Sequence, residues 1–403
     1  MKILHIISSV NPTGGGPIEG VKQLGRLNED RGNHVELASL DAPGAPFLND
    51  CPFPVHPLGP GTLAYGYSPR LVPWLKENLC NYDIVIVNGI WQYNSFGAWR
   101  VLHLSSTPYV VFIHGMLDPW FKRTYPLKHL KKSFYWPWAE YRVLRDAVAV
   151  LFTSEEERIL ARQSFWPYNA NEKVVNYGIR TPSGNKEIQR REFHERFPHL
   201  RNKRLLLFMG RIHPKKGCDL ALRSFAAALP SDPNLHLVMA GPDQIGWQAS
   251  MQSLAEDLQI ANRITWTGMI SGDLKMGALY SAEAFFLPSH QENFGIVVAE
   301  ALSCGLPVLI SDKVNIWREV QADGAGLVAP DNLAGASSLL ESWMRLADSQ
   351  RIYMRECATQ SFRNRFAIDQ STSSLPDLLQ QLVTAAAPKS CVSIKETRGM
   401  DVG

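Results

Sequence analysis

The sequence has few cysteines, and none of them stands in a pattern that would hold a metal or a disulfide framework. The six cysteines among 403 residues are scattered, without a Cys-x-x-Cys pair and without neighbouring histidines. Structural zinc sites and disulfide frameworks need closer spacing. We therefore expect reduced, mostly buried thiols, as in a protein of a reducing compartment.

Long hydrophobic runs are also missing. No segment reaches the roughly 18–20 apolar residues that a membrane-spanning helix needs. The opening decapeptide "MKILHIISSV" predicts a strand, and its apolar run is too short for the core of a signal peptide. We expect a cytoplasmic protein, unless a surface segment attaches it to the inner face of the membrane.

Charge of one sign is not in excess, and several ligand-binding patterns are absent. The net charge of +3 is too small to indicate a nucleic-acid partner. The glycine-rich "NPTGGGPIEG" is not a dinucleotide fingerprint, because Glu19 stands where the third glycine would be, and no P-loop occurs. The chain contains no Asp-x-Asp pair. We expect neither a bound metal nor a resident cofactor.

The sequence does contain a regular alternation of short apolar runs and longer helical segments. Runs such as "YDIVIVN" and "AVAVLFT" in the first half, and "RLLLFMG" and "AEAFFLPS" in the second, predict buried parallel strands covered by helices. Two such α/β series in tandem predict two Rossmann-like domains with a cleft between the carboxyl ends of their strands.

Changes in composition set the expected boundaries of these domains. Gly, Pro, Ser and charged residues collect in residues 176–190, which we predict to be the linker. The first domain would then span residues 1–180 and the second 181–365. We expect a C-terminal helix, residues 366–387, to cross back to the first domain, and a flexible tail, residues 388–403.

Three segments have residues suited to a phosphorylated ligand. Gly15 and Gly16 follow the first strand, where glycines allow close approach and the next helix begins with its positive end. In "FMGRIHPKKG" of the second half, Arg211 and Lys216 follow a strand at the mouth of the cleft and would neutralise a diphosphate. Lys215 fits equally well a solvated surface lysine.

The third segment is "SHQENFGIVVAEALSCGLPVLIS", residues 289–311, with two carboxylates eight positions apart. Glu292 would lie in a loop and Glu300 in the helix that follows. The amides of residues 294–296 would form the start of that helix and point into the cleft. Such amides suit phosphate, whereas carboxylates suit sugar hydroxyls.

Taken together, "GRIHPKKG" and "ENFGIVVAEALSCGLPVL" resemble the retaining glycosyltransferases of family 4. The resemblance covers nearly the whole chain, and its specific motifs lie in the second half. It implies the GT-B fold, a nucleotide-sugar co-substrate and no metal. By resemblance, Arg211 and Lys216 hold the donor diphosphate, Glu292 lies by the transferred sugar, and Glu300 binds the ribose hydroxyls.

The resemblance assigns further donor contacts by position. Residues 293–296, namely Asn293, Phe294, Gly295 and Ile296, would contact sugar and phosphate, and Met269 and Ile270 would meet the base. In the first half, Gly15 and Gly16 would lie over the diphosphate.

The segment "VVFIHGMLDPW" in the first half supplies further candidates. His114 would lie near the donor sugar as a catalytic residue, although a lone histidine after a strand is often structural. The motif "HGMLDPW" is similar to that of enzymes that build bacterial exopolysaccharides and capsules. Asp118 and Trp120 would face the acceptor, unless Asp118 merely caps a turn.

Residues 118–147 mix lysines and arginines with many aromatic side chains. This mixture suits an anionic membrane surface, and it also suits a solvated basic face over an aromatic core. The family resemblance favours the membrane, since its members include enzymes with lipid-linked acceptors.

The residues and the resemblance together predict a retaining, metal-independent hexosyltransferase that acts on a saccharide or lipid-linked saccharide in polysaccharide biosynthesis. The resemblance alone implies glucose as the sugar and UDP-glucose as the donor. Retention would follow from same-face attack assisted by the leaving phosphate, because no second acid stands beside Glu292 to act as a nucleophile. Three alternatives stay open: a silent nucleotide-binding subunit of the same fold, an epimerase or phosphorylase of that fold, and a dinucleotide oxidoreductase.

Overall fold

The computed structural model describes residues 1–175, 178–368 and 375–386. Strands and helices alternate through both halves. The first half contains β1 (Lys2–Ile7), α1 (Gly16–Asp30), β2 (His34–Ser39), β3 (Val55–Pro57), α2 (Leu71–Asn78), β4 (Ile84–Asn88), α3 (Tyr93–Leu102), β5 (Tyr109–Phe112), α4 (Trp120–Thr124), α5 (Pro126–Tyr135), α6 (Glu140–Arg145), β6 (Ala149–Phe152), α7 (Glu155–Ala161) and β7 (Glu172–Val174).

The second half repeats the alternation and ends in helices. It contains α8 (Lys186–Arg196), β8 (Arg204–Met209), α9 (Cys218–Ala228), β9 (Leu235–Ala240), α10 (Gln248–Asp257), β10 (Ile264–Gly268), α11 (Gly272–Ser281), β11 (Ala284–Leu287), α12 (Ile296–Ser303), β12 (Val308–Ser311), α13 (Trp317–Ala322), β13 (Gly326–Ala329), α14 (Leu333–Arg345), α15 (Asp348–Ser361), a π-helix (Phe362–Phe366) and α16 (Leu375–Ala385). Single turns of 3₁₀-helix lie at Pro12–Gly14, Pro46–Leu48, Leu79–Asn81, Pro198–Leu200, Pro214–Lys216, Leu229–Ser231 and Ala261–Arg263.

Each half forms one parallel sheet. The first sheet has seven strands in the order β3-β2-β1-β4-β5-β6-β7, and the second has six in the order β10-β9-β8-β11-β12-β13. Central strands such as β4 and β9 are buried along their whole length, because helices cover both faces. The fold class predicted from the sequence, two Rossmann-like α/β domains, is confirmed. Apolar runs in the sequence do not reveal the edge strands β3 and β7, because each strand is only three residues long.

The strand order reverses between β1 and β4 in the first sheet and between β8 and β11 in the second. Loops that leave neighbouring strands at such a reversal diverge, and they open a crevice at the carboxyl edge of the sheet. The loop after β8 and the loop after β11 therefore lie side by side in the second domain. These are the loops of Arg211, Lys216 and Glu292.

The predicted linker, residues 176–190, is too long at its carboxyl end. Helix α8 begins at Lys186, because the side chain of Asn185 accepts hydrogen bonds from the amides of Glu187 and Ile188 and so caps it. The helix packs closely on α11, where a Cβ at Gly277 would lie 2.1 Å from the carbonyl oxygen of Gln189. The last five residues of the predicted linker are therefore part of the second domain.

The C-terminal helix is shorter than the predicted 366–387. Phe366 still belongs to the π-helix, and α16 covers Leu375–Ala385. The guanidinium of Arg31, next to the end of α1, pairs with Asp377 of α16 at 2.5 Å. This end of the chain therefore contacts the first domain. The predicted tail, residues 388–403, lies outside the described residues.

The cysteines in the described residues form no disulfide. Of these, Cys218 is buried, Cys80 is exposed, and Cys51, Cys304 and Cys357 lie between, so the expectation of mostly buried thiols is wrong. The reason is that none of these five lies on a strand, the part of the fold that is buried on both faces. No helix among the described residues has the length and hydropathy to span a bilayer.

Candidate functional site

A cavity of about 360 Å³ lies between the carboxyl ends of the two sheets. Both halves of the chain line it. The first half contributes residues 14–17, 114–116 and 121, and the second contributes residues 210–211, 215–216 and 291–297. The cavity lies where loops at the reversal of the second sheet meet loops of the first, as the doubly wound topology leads one to expect.

Close backbone contact holds the two loops of the second domain together. Gly217 has a positive φ of 66°, and a Cβ on it would lie 2.1 Å from the carbonyl oxygen of Pro288. Only glycine fits this approach. The carbonyl of Lys215 accepts hydrogen bonds from the hydroxyl of Ser289 (3.0 Å) and the amide of His290 (2.9 Å). The cations after β8 are thereby fixed beside the carboxylate after β11.

The result is an ion pair between the Nζ of Lys216 and the Oε2 of Glu292. Lys216 is buried, and Glu292 is nearly so. Burial, followed by the charges of Lys215 and Arg211, lowers the pKa of Lys216, whereas the adjacent Glu292 carboxylate favours the charged ammonium. Of the three cations at this edge of the sheet, only Lys216 pairs with the carboxylate of Glu292.

Lys215 is not the solvated surface lysine that its sequence context allows. Its Nζ lies 5.9 Å from the ring centroid of Trp120 and 5.5 Å from that of Phe121, both in the other domain. Burial and then Arg211 lower the pKa of Lys215 to about 8, while Asp118 acts in the opposite direction. The sequence could not place Lys215 because the rings that cover it come from a separate domain.

Two helix N-termini, one from each domain, meet at the cavity. Gly15 and Gly295 precede α1 and α12 with positive φ values of 78° and 73°. The first amides of each helix have no partner within the helix and give that end a partial positive charge. Residues 294–296, predicted to present such amides, line the cavity. Of the three consecutive glycines, only Gly15 has a backbone conformation that favours glycine.

His114 faces the cavity from the end of β5, with a φ of 53° that is unusual for a residue with a side chain. Its Nε2 lies 3.2 Å from Oδ1 of Asn88, whose amide nitrogen lies 3.2 Å from Nδ1 of His5. Burial, with a contribution from His5, lowers the pKa of His114 to about 3. The imidazole is therefore neutral near pH 7, and Asn88 fixes its orientation.

Glu157, which the sequence analysis did not identify, holds this backbone in place. Its two carboxylate oxygens accept hydrogen bonds from the amide of Gly115 (2.6 Å) and from the amide and hydroxyl of Thr153 (2.6 and 2.7 Å). Burial raises the pKa of Glu157, and these hydrogen bonds oppose the rise. In sequence, Ser154 and Glu157 form a capping-box pattern, which predicts only a helix start.

Several contacts join the two domains around the cavity. The Oδ2 of Asp118 accepts from Gln291 (2.9 Å), and its Oδ1 accepts from the amide of Trp120 (2.8 Å). Asn293 donates to the hydroxyl of Thr153 at 3.1 Å. Asp118 therefore caps a turn and also bridges the cleft, and its acceptor role stays a prediction. Trp120 does not line the cavity.

Three predicted donor contacts lie outside this cavity. Glu300 forms an ion pair with Lys275 of α11 at 2.7 Å. Met269 is exposed and Ile270 half-buried after β10, the edge strand two positions from β8. The structure therefore brings together the residues predicted for the diphosphate and the sugar, whereas those predicted for the ribose and the base do not line this cavity.

Two family models together match most of the chain, one for each domain. The description "Glycosyl transferase 4-like domain" matches residues 15–178, and "Glycosyl transferases group 1" matches residues 189–360. Among curated proteins, the chain is 24% identical over 387 residues to a GDP-mannose:cellobiosyl-diphosphopolyprenol alpha-mannosyltransferase from Xanthomonas campestris, covering 91% of this chain and 93% of that protein.

A second curated relative is similar over a shorter span. The chain is 39% identical over 134 residues to a D-inositol 3-phosphate glycosyltransferase from Thermomonospora curvata, which covers 32% of this chain and only 31% of that protein's length. Among solved structures, HepE from Anabaena in complex with UDP-glucose superposes with a TM-score of 0.71 and 18% identity, covering 95% of this chain and 98% of that one. This structural likeness shows the fold.

We predict that Glu157→Gln destabilises the protein. A carboxamide has one acceptor oxygen and one NH₂ group, so it leaves at least one of the buried donors at Gly115 and Thr153 without a partner. The free energy of unfolding should fall by about 1–3 kcal/mol. Urea denaturation measures it. Glu155→Gln, at an exposed residue of the same helix turn, should cost less than about 0.5 kcal/mol. Equal losses in both variants would contradict the role of Glu157.

Proposed function

Because the chain belongs to the two-domain GT-B glycosyltransferases described by these family models, we propose that it transfers a hexose from a nucleoside diphosphate to a saccharide or lipid-linked saccharide in polysaccharide biosynthesis. The observation that supports this most is the concentration of positive charge in one cavity. Arg211, Lys215 and Lys216 line it with only Glu292 as a carboxylate among the lining residues, and two helix N-termini point into it.

This charge suits the leaving group of such a reaction. Negative charge develops on the nucleoside diphosphate as the bond to the sugar breaks, and preorganised cations and amides stabilise it in the transition state. Arg211 would bind phosphate in two-pronged fashion and Lys216 as a point charge. Because protein cations supply the positive charge, we propose that the reaction needs no metal.

Binding of the donor would change the partners of both Lys216 and Glu292, which pair with each other in the structure. A diphosphate that binds Lys216 competes with the Glu292 carboxylate, which is then available to accept hydrogen bonds from sugar hydroxyls. His114, a neutral imidazole held by Asn88, would contact the same sugar. We propose that the reaction retains the anomeric configuration. Because Glu292 is the only carboxylate among the residues that line the cavity, we propose same-face attack, in which the leaving phosphate accepts the proton of the acceptor hydroxyl.

UDP-glucose is the donor that we propose. HepE, which shares the fold, was solved with UDP-glucose, whereas the similar protein from Xanthomonas campestris is named for GDP-mannose. The latter name also specifies a lipid-linked diphosphate acceptor. GDP-mannose, UDP-galactose and UDP-N-acetylglucosamine are therefore the alternatives to test beside UDP-glucose.

The first test is release of nucleoside diphosphate from a panel of these four nucleotide sugars in EDTA. We expect release from one donor, without added metal, because such transferases slowly hydrolyse their donor when no acceptor is present. Arg211→Ala and Glu292→Gln should each lower the rate about 100- to 1,000-fold, as loss of one stabilising contact does.

The matched control is Arg191→Ala, which removes an exposed arginine of α8 and should keep the wild-type rate. Release that requires added Mg²⁺ would contradict metal independence. If no donor releases its nucleoside diphosphate and neither UDP nor GDP raises the melting temperature, the chain is a silent subunit and the proposed activity is wrong.

The pKa of Lys215, lowered to about 8, predicts a pH dependence of binding. The ammonium is charged below this pKa and loses its charge as the pH rises through it. The affinity for UDP, or for GDP if the panel selects a GDP-sugar, should therefore fall between pH 7 and 9, by at most tenfold per pH unit. Calorimetric titration at several pH values measures this fall.

Two variants distinguish the effect of Lys215 titration on binding from the effect of other groups that titrate between pH 7 and 9. Lys215→Arg keeps its charge and should bind equally at pH 7 and 9, whereas Lys215→Met should bind weakly at both. The base of the nucleotide titrates identically in all three proteins. A wild-type fall that persists in Lys215→Arg would show that another group is responsible.

We also propose that α5 attaches the protein to a membrane surface. Leu127, Leu130 and Phe134 are exposed at the spacing of one helix face, and the exposed Lys131 lies beside them. Such a face, apolar with flanking lysines, suits the boundary of an anionic bilayer. The site for a lipid-linked acceptor would then lie near the lipid.

The double variant Leu130→Glu/Phe134→Glu should bind vesicles of phosphatidylcholine and phosphatidylglycerol at least about tenfold more weakly than the wild type, since each apolar side chain contributes about 1.5–3 kcal/mol when fully buried. Co-sedimentation measures this affinity. Leu104→Glu changes an exposed leucine elsewhere on the same domain and should have no effect. Wild-type protein that does not sediment with anionic vesicles would contradict the proposal.

A further inference from the structure

A smaller cavity of about 50 Å³ adjoins the first, and α5 forms one of its walls. It shares Met116 and Phe121 with the larger cavity, so the two are neighbours, but all of the residues that line the smaller one belong to the first domain. Lys128, His129 and Lys132 of α5 line it. None of these three was assigned a role by the motifs of the sequence.

The two lysines face aromatic rings rather than acids. The Nζ of Lys132 lies 4.3 Å from the ring centroid of Trp91 and 5.9 Å from that of Phe121, and the Nζ of Lys128 lies 4.9 Å from the ring of Tyr125. Within the described part of the chain, neither lysine lies within 4.0 Å of a carboxylate oxygen. Burial is the main cause that lowers the pKa of Lys132 to about 8.

The nearby acids offset this charge only in part. Asp118 also lines the small cavity, and its carboxylate, which accepts hydrogen bonds from Gln291 and from the amide of Trp120, balances one positive charge without pairing with either lysine. Glu140 acts on Lys132 from further away, and burial raises its own pKa to about 7, so it is only partly ionised near neutral pH. The cavity therefore has an excess of positive charge.

Phe121 separates this charge from that of the larger cavity. Its ring lies 5.9 Å from the Nζ of Lys132 on the side of the small cavity and 5.5 Å from the Nζ of Lys215 in the larger one. One aromatic side chain thus contacts a cation from each site. The small cavity is a separate positive site next to the place proposed for the donor, rather than an extension of it.

We propose that Lys128 and Lys132 bind a phosphate group of the acceptor. The inference rests on the function proposed above and adds the chemical class of the acceptor to it. Lysine ammonium groups bind phosphate as point charges, and an N–H of His129 supplies a further donor. Burial, and then Lys122 and Lys132, lower the pKa of His129, so the ring is neutral near pH 7.

The orientation of α5 fits an acceptor phosphate held close to lipid. Lys128 and Lys132 lie on the face that lines the cavity, whereas Leu127, Leu130 and Phe134 are exposed. At 100° per residue, the mean directions of these two sets are on roughly opposite faces of the helix. The same helix would therefore contact a membrane on one side and a phosphate on the other.

The test is calorimetric titration of inorganic pyrophosphate into the full chain saturated with UDP, which blocks the larger cavity. We expect one site in the wild type. Lys132→Met keeps the apolar stem and removes the charge, and it should weaken binding about tenfold or more. Lys132→Arg should bind within about threefold of the wild type. Lys76→Met, at an exposed residue of α2 in the same domain, should bind as the wild type does.

Two results would overturn the proposal: no pyrophosphate binding by the UDP-saturated wild type, or an equal loss in Lys76→Met and Lys132→Met. If Lys132→Met does not fold, as judged by its circular dichroism, Lys128→Met gives the same test at an exposed residue. It too should weaken binding several-fold, and wild-type affinity in this variant would count against the proposal.

Competition experiments distinguish a lipid from a soluble source of the phosphate. Displacement of pyrophosphate by phosphatidylcholine vesicles containing phosphatidic acid, but not by plain vesicles, would indicate a lipid phosphate. Displacement by glucose 1-phosphate would indicate a soluble one. If neither displaces it, the site does not bind acceptor phosphates and the proposal is wrong.

Release of nucleoside diphosphate from the donor is measured on the same preparation. It shows whether the acceptor site alone is wrong or whether the proposed transferase activity is wrong as well. Release without pyrophosphate binding would overturn the acceptor site and leave the transferase activity standing. Pyrophosphate binding without release from any donor would overturn both the transferase activity and the acceptor role, and it would leave an anion site of another kind.

Discussion

The ion pair between Lys216 and Glu292 is the interaction on which the rest of the site depends. A buried ammonium is costly unless a carboxylate compensates for its lost hydration. That compensation exists here because β8 and β11 are neighbours at the reversal of the second sheet, so that the loops after them meet. Gly217 permits the backbone approach that brings the two loops together. Since Arg211 and Lys215 add charge that no carboxylate in the cavity balances, an anionic ligand would relieve their mutual repulsion.

The first domain supplies the other wall of the site and fixes it by buried hydrogen bonds. Glu157 ties the ends of β5 and β6 together through Gly115 and Thr153, and in doing so it holds the adjacent His114 at a positive φ. A strained residue of this kind persists only when its surroundings determine its conformation. Asn293 of the second domain then donates to the same Thr153. The backbone that presents His114 is therefore coupled to the loop that contains Glu292, across the cleft.

The sequence predicted the fold well because its strands are buried on both faces and therefore form continuous apolar runs. The same pattern located Arg211, Lys216 and Glu292 at strand ends. It could not show what lies on the other side of the cleft, so Lys215 remained indistinguishable from a surface lysine until Trp120 and Phe121 were placed over it. Glu157 was missed for a different reason. A capping-box spacing accounts locally for its position, whereas its bond to Gly115 spans 42 residues.

The position of Phe121 has a consequence for how two anions can be held in one cleft. A donor diphosphate and an acceptor phosphate repel each other, and in a cavity of low dielectric constant that repulsion is larger than in water. The ring of Phe121 contacts both groups of lysines, because its centroid lies within 6 Å of one cation from each cavity. Each phosphate would then have its own counter-charges, with an apolar ring between the two sites. Such separation favours an acceptor that reaches the donor sugar through an uncharged hydroxyl, which is the group that a transferase must bring to the reacting carbon.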